Sequence, residues 1–436
     1  MKNYCCRNIL MYKSKSCALM ILHLLVLFFL ISCSNEKKDY TEIKFWAMGS
    51  EAEFVTKLIP EFEKQNPGIK VKVQAMPWTA AQEKLITAFA SDNTPDICQL
   101  GNTWIPQFAA LNAIIPLDNL VEHSDRLNRR RYFDGVWRTN IIDGKIYGIP
   151  WYVDTRVLYY RKDVLQRAGY SHPPRNWEEL LDASKKIKAL FPGKEKYAIY
   201  LPTNEWAPFV QFGLQANAEL ISENLTKANF SSPEFKEAFD FLISFHKQKL
   251  APIGISQVTN VYQAFADEYF SMYISGPWNI PEFKKWMKGE LSDKWMTAPM
   301  PGYKHEYPGL SLAGGSSLVI FNRSEHKIES LKLIEFLSDA KTQIEFYKLT
   351  NDLPSVREAW EDSVLKNDVY MNAFYEQFHN VSATPKIPEW EQIAFSKIQS
   401  YAEFAARNKM STKEALNNLD KDVDKILEKR RWMLEH

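Results

Sequence analysis

The chemistry-bearing residues that stand out in this sequence are its indoles. The chain holds 13 Trp, and several stand beside Pro, Gly, Asn or Asp, where turns form. Trp104, Trp151, Trp206 and Trp278 are the clearest. A Trp at a loop tip offers a flat apolar face with a polar N–H at its edge, the shape that covers the C–H face of a pyranose. Sugar hydroxyls around the ring then need donors and acceptors, which Asp, Glu, Arg and Asn supply.

Other chemistries leave little trace. The eight His are scattered, none pairs at a metal spacing such as HxxxH, and Cys98 stands alone. No Walker A sequence or GxGxxG occurs, and Gly314-Gly315-Ser316-Ser317 lacks the GxSxG elbow. Carboxylates are plentiful, but nothing singles out two of them as a glycosidase pair. No catalytic residue, cofactor or metal site is expected.

The elements that must hold the indoles follow from periodicity. Residues 41–48 read as a strand, 51–65 as a helix stopped by Asn66-Pro67-Gly68, 69–75 as a second strand, 78–91 as a helix and 97–100 as a third strand. That alternation implies parallel pairing through crossovers and an α/β sheet. Ligands of such sheets bind beyond the carboxyl ends of the strands. Residues 47–51, 76–78 and 101–104 fall there, with Trp46 at the end of the first strand. Trp46, Glu51, Trp78 and Trp104 are therefore candidate ligand contacts. A new strand is expected at 156–160, helices at 235–248 and 260–268, a short strand at 272–274 before Gly276-Pro277-Trp278, an interdomain connection at 296–302, a strand at 317–321, and helices from 327 onward.

The N-terminus reads as an export signal. Lys2, Arg7, Lys13 and Lys15 precede an apolar run, residues 17–31, that is short for a membrane span. Leu30-Ile31-Ser32-Cys33 matches a bacterial lipobox, making Cys33 the expected lipidation site. The polar residues that follow read as a tether, and several acyl chains would hold the protein firmly to a bilayer. Of five Cys, only Cys98 then remains in the mature domain, so no internal disulfide is expected. The whole chain has 54 basic and 53 acidic residues. Loss of the four signal charges tips the mature balance to acidic, which argues against nucleic-acid binding. The basic run at 126–131 reads as a solvated helix end.

Taken in order, IKFWAMGS, FEKQNPGIKVKV, TPDICQLGNTW, DGKIYGIPWYVDTRVLYYRKDVLQRAG, PRNWEEL, MYISGPWN, APMPG with LAGGSSLVIF, and FLSDAKTQIEFYKL resemble the bacterial extracellular solute-binding proteins of ABC importers, in the group typified by maltose-binding protein. The similarity covers roughly residues 41–430. It implies an α/β, two-lobed periplasmic-binding-protein-like fold with a ligand cleft between the lobes. The expected divisions are a signal over 1–32, a tether over 33–41, a first lobe of 42–150 with 298–342, and a second lobe of 151–297 with 343–436. Hinge crossings are expected near Pro150-Trp151, near 297–299 and over 341–348.

The resemblance carries site roles onto Trp104, Asp154, Glu205, Trp206, Trp278 and the Gly314-Gly315 loop. It departs from maltose-binding protein after the first strand, where an Asp-Lys pair is replaced by Met48-Gly49-Ser50-Glu51. Glu51 is the acidic residue left there. The function implied is capture of a mono- or oligosaccharide and its delivery to ABC permease subunits with a cytoplasmic ATPase. The protein would be monomeric, extracytoplasmic and lipid-anchored. The alternative is a non-sugar solute such as glycerol phosphate, with Arg156 as the residue that would meet an anion.

Overall fold

The computed structural model describes residues 39–222, 224–253 and 258–435. The expected signal, most of the tether and Cys33 lie outside them. Among the described residues no helix is long and apolar enough to cross a membrane.

Two sheets organise the chain. The first has six strands in the order Leu353–Pro354, Ile149–Asp154, Gly314–Ile320, Ile97–Gly101, Thr41–Met48, Ile69–Met76. The second has four, in the order Trp295–Ala298, Val157–Arg161, Met272–Ser275, Ile199–Tyr200. Thr41–Met48 pairs parallel to Ile97–Gly101, with Phe45 opposite Ile97. Its alternate residues Ile43, Phe45 and Ala47 are all fully buried, as a strand with one face on the core requires. Gly314–Ile320 enters antiparallel between Ile97–Gly101 and Ile149–Asp154, so a late segment completes the centre of the first sheet.

The helix expected over 51–65 is two helices, Gly49–Val55 and Ile59–Gln65. Pro60 explains the break: it has no N–H to continue a helix but suits the first turn of a new one, where it sits. In the second lobe Asn176 caps the helix Trp177–Ala189 by accepting from the Glu179 N–H at 2.8 Å. The basic run forms two short 3₁₀ turns rather than a helix end, and its arginines pair with Asp134 and Glu358.

Sheet membership departs from the expected lobe limits at two places. Residues 151–154 continue a strand of the first sheet, so the first crossing falls after Asp154 rather than at 150. Leu353–Pro354 also pairs into the first sheet, which moves the last crossing beyond Pro354 rather than at 341–348. The crossing segments are stitched together. The Thr155 hydroxyl donates to the Ser311 hydroxyl at 2.9 Å, the Ser311 hydroxyl donates to the Arg156 carbonyl at 2.9 Å, and Ser311–Leu312 pairs with Val381–Ser382.

The same shift corrects Trp151. It is not a loop-tip indole: it is 1% exposed in mid-strand and stacks on Phe346 with centroids 4.6 Å apart. The proline before it marks strand entry, not a turn. In the second sheet Arg161, 2% exposed, forks both oxygens of Asp163 at 2.8 Å and donates to the carbonyls of Phe265 and Ala266 at 3.0 Å. A buried guanidinium is tolerable only when its donors are satisfied in this way.

Candidate functional site

Eight of the eleven ligand-contact candidates line one cavity of about 460 Å³: Trp78, Trp104, Asp154, Arg156, Trp206, Trp278, Gly314 and Gly315. Each comes from the end of an element. Trp78 opens the helix Trp78–Ala90 directly after Pro77. Trp104 closes the 3₁₀ turn Asn102–Trp104 that follows a strand of the first sheet. Trp206 precedes the helix Ala207–Gln215. Trp278 sits in the turn Pro277–Asn279 after Met272–Ser275. That turn is tied down: the Asn279 amide donates to the Ser275 hydroxyl at 2.7 Å, and the Tyr159 hydroxyl donates to the Gly276 carbonyl at 2.6 Å.

Two glycines are required by close approach. A Cβ on Gly314 would collide with the Asp154 carboxylate, and one on Gly315, at φ +112°, would collide with the Tyr152 carbonyl. The backbone therefore runs against Asp154, and the Gly315 N–H donates to its carboxylate. Burial pushes the Asp154 carboxyl above its ordinary range, while the Arg156 charge and this N–H draw it down. Arg156 lies 3.2 Å from Asp154, and its guanidinium stands 4.6 Å from the centroid of Trp278.

Glu51 lies behind the wall rather than in it. One of its oxygens accepts from the Tyr152 hydroxyl at 3.0 Å and from the Trp78 indole N–H at 3.3 Å. The Tyr152 oxygen in turn accepts from Gln99 Nε2 at 3.1 Å and from the Ser316 hydroxyl at 3.0 Å. Glu51 thus aims two residues that do line the cavity. Trp46 is not in the lining: it shares a strand face with Met48 and packs half-buried against the cluster that contains Trp104. Glu205 is exposed in the turn before the helix and also stays out of the lining. Strand position marked Trp46 and the family resemblance marked Glu205, and neither sets where a side chain points.

Sequence reasoning missed Asn102, Tyr152, Thr384, Glu391 and Phe395, all in the lining. Asn102 is 6% exposed; its Oδ1 accepts from the Ser317 hydroxyl at 3.0 Å, and its Nδ2 has no partner. Glu391 has a buried oxygen, Oε1, likewise without a partner. Burial raises its carboxyl, with Thr103 and Trp104 drawing it down. A buried donor or acceptor left unmade costs about 1–3 kcal/mol, and both atoms belong to residues that line the cavity. The segment around residues 384–395 carries no motif by which it could have been found. A larger cavity, about 730 Å³, is lined by residues such as Phe133, Arg138, Leu220 and Val381 and holds no indole; chemistry, not volume, selects the smaller one. Among the described residues no cluster of His, Cys, Asp or Glu could hold a metal ion.

A two-lobed α/β molecule with a polar, indole-lined cleft between its lobes is the architecture of a solute receptor. The family of bacterial extracellular solute-binding proteins matches residues 57–373, and the chain belongs to that family. Family and fold are those of binding proteins, and the family works outside the cytoplasm. The sugar-binding protein MalE of Xanthomonas citri has a similar structure, with 45% identity, a TM-score of 0.87, and coverage of 91% of this chain and all of that one. A solute-binding protein of Thermotoga lettingae, solved with α-D-tagatose, is 27% identical with a TM-score of 0.73, over 89% of this chain and all of that one. The diacetylchitobiose-binding protein DasA of Streptomyces coelicolor is 25% identical across 80% of each chain.

Proposed function

We propose that this protein captures a carbohydrate outside the cytoplasm and delivers it to the permease subunits of an ABC importer powered by a cytoplasmic ATPase, acting as a monomer. The observation that carries the reading is the cavity wall: Trp78, Trp104, Trp206 and Trp278 surround one space with the unpaired Asn102 donor. Stacking planes plus orphaned hydrogen-bonding atoms suit a ring with apolar faces and a polar rim. The likeness to MalE and DasA supports the same class of ligand.

The anionic alternative is disfavoured by charge. Arg156 is the one cation among the lining residues, and Asp154 holds it; Glu391 adds a second carboxyl. A phosphate would meet two acids and a guanidinium already engaged. Calorimetric titration of the purified chain against a panel of sugars and glycerol 3-phosphate tests this. Saturable binding of a sugar is expected. Binding of glycerol 3-phosphate with no sugar response would overturn the reading.

We also propose that Cys33 carries a lipid anchor, as the lipobox and the polar stretch after it suggest. Cells fed a labelled fatty acid should label the protein and retain it on membranes, and Cys33→Ala should lose both. Absence of label on the parent chain would end the proposal.

A further inference from the structure

An acid outside the cavity lining stands behind the cleft. Asp352 follows the helix Ala340–Thr350, which ends at Asn351 in the left-handed conformation, φ +66°. Its backbone N–H donates to the Thr350 hydroxyl at 3.0 Å. The chain then enters the edge strand Leu353–Pro354, where Leu353 pairs antiparallel with Val153 and Pro354 with Tyr152. One step back along that register, Asp352 comes opposite Asp154. Like charges directly opposite on neighbouring strands are destabilising.

Both acids are held in place. Asp154 packs against the Gly314 backbone, accepts from the Gly315 N–H and pairs with Arg156. Asp352 is fixed by a helix end on one side and a strand pair on the other. The titratable groups that face it are Glu51, from a helix that packs on Ala340–Thr350, and Tyr152 and Asp154, from the neighbouring strand. Lys348, in the last turn of its own helix, pairs with Glu345 at the surface. Among the described residues no cation pairs with Glu51 or Asp352.

Three carboxyls therefore share one guanidinium. Arg156 and the Gly315 N–H favour the charge on Asp154, and Glu51 accepts from the Tyr152 hydroxyl and the Trp78 indole. The proton of the group settles on Asp352. Burial raises that carboxyl most and the Glu51 charge next; the Thr350 hydroxyl opposes them, and Asp154 adds a smaller push. A molecule that fills the cleft takes water away from Asp154. Charges act more strongly in the drier medium, so the bound state holds the Asp352 proton more tightly than the free one.

We propose that Asp352 is a positioning residue for ligand binding, acting through Asp154, and that binding is coupled to its protonation. Above the range in which Asp154 itself takes a proton, affinity falls as pH rises and Asp352 ionises in the free chain. It levels off once Asp352 is ionised in both states. The inference rests on the indole cavity being the ligand site and holds whichever solute fills it.

The test is calorimetric titration of the full chain from about pH 5 to about pH 9, a span that covers raised carboxyls. Maltose is the first probe, with tagatose and diacetylchitobiose as the second and third. The parent should lose about fivefold to tenfold in affinity across the span and take up protons on binding, read from buffers of different ionisation enthalpy. Asp352→Asn, neutral at every pH, should stay within about twofold of the parent's low-pH affinity throughout and take up fewer protons. Glu391, also raised by burial, is present in both chains and sets any slope they share. Equal slopes and equal proton uptake in the two chains overturn the proposal.

A ligand-free measurement is carbon-13 NMR of the chain labelled in its aspartate carboxyls, with the Asp352 signal assigned by its loss in Asp352→Asn. That signal should titrate well above an ordinary Asp, which titrates near 3.9. Titration at the ordinary position overturns the proposal whether or not a sugar binds. Binding of none of the three sugars counts against the carbohydrate reading alone, and the carboxyl titration then decides for Asp352.

Discussion

The two walls of the cleft are built from the same residue types but held in different ways. On the first-lobe side, Trp104, Tyr152, Gln99 and Ser316 are buried, and a continuous set of hydrogen bonds runs from Glu51 through Tyr152 to Gln99, with the Trp78 N–H on the same carboxylate. On the second-lobe side, Trp278 is 47% exposed, Phe395 more so, and Trp206 is held by edge contacts to Trp390 and Phe395 rather than by bonds. One wall is set before a ligand arrives. The other keeps apolar surface in water that a ligand can cover. A preset face loses little freedom on binding and so reads ligand shape. An exposed indole gains most from the area it buries.

Two substitutions break the comparison at its ends. Glu51→Ala should have the larger effect, because it leaves the Trp78 N–H and the Tyr152 hydroxyl without their acceptor in a buried setting. A stability loss of about 1–3 kcal/mol should accompany an affinity loss of at least roughly a hundredfold. Trp278→Ala should weaken binding by about tenfold to a hundredfold, since an indole stacked on one ring buries on the order of 100 Å² at roughly 25 cal/mol per Å². It should cost far less stability than the roughly 3–5 kcal/mol of a buried aromatic truncation, because its side chain packs into no core cluster. Titrations and urea melts on both variants check the ordering. If Trp278→Ala lost stability while keeping affinity, Trp278 would belong to the core and the walls would not differ.

The first wall was also the more legible in the sequence. Alternating strands and amphipathic helices announced the first sheet, and Trp78 and Trp104 fall at its strand ends because strand ends are countable along the chain; the Gly314-Gly315 loop came from the family resemblance. Asp154 came from a motif match, and its role depends on a backbone approach that only a glycine permits. What stayed hidden was direction and distance. Trp151 beside Pro150 looked like a turn and is core. Trp46 sits near a strand end and Glu205 beside Trp206 in sequence, yet neither lines the cavity. Glu391 and Phe395 lie more than 200 residues beyond Asp154, on a segment without any distinctive pattern, and meet the cavity only through the returning chain. Periodicity places elements; it does not say which distant helix end closes over them.

The smallest effect sharpens the comparison by asking what the preset wall costs. Asp352 stands near it, and burial raises its carboxyl well above the ordinary range; the Glu51 charge adds to this, the Thr350 hydroxyl opposes it, and Asp154, itself paired with Arg156, adds a smaller push. The Tyr152 phenol is pushed up by burial first and then by Asp352 and Glu51. An unfolded Asp titrates near 3.9. Between that value and its raised folded value, Asp352 holds its proton in the folded chain and loses it in the unfolded one. Stability must therefore fall as pH rises through that window and stay lowered above it. Asp352→Asn keeps the shape and removes the charge. Its unfolding free energy from urea melts should match the parent's below about pH 4 and exceed it at pH 8 by roughly 0.5–1 kcal/mol, an ordinary single-site change. A variant no more stable than the parent at pH 8, or an advantage that shrinks as pH rises, would show that the carboxyl cluster imposes no cost there. An advantage that grows with pH would place a standing electrostatic penalty on the first-lobe wall, the side where geometry is fixed before binding.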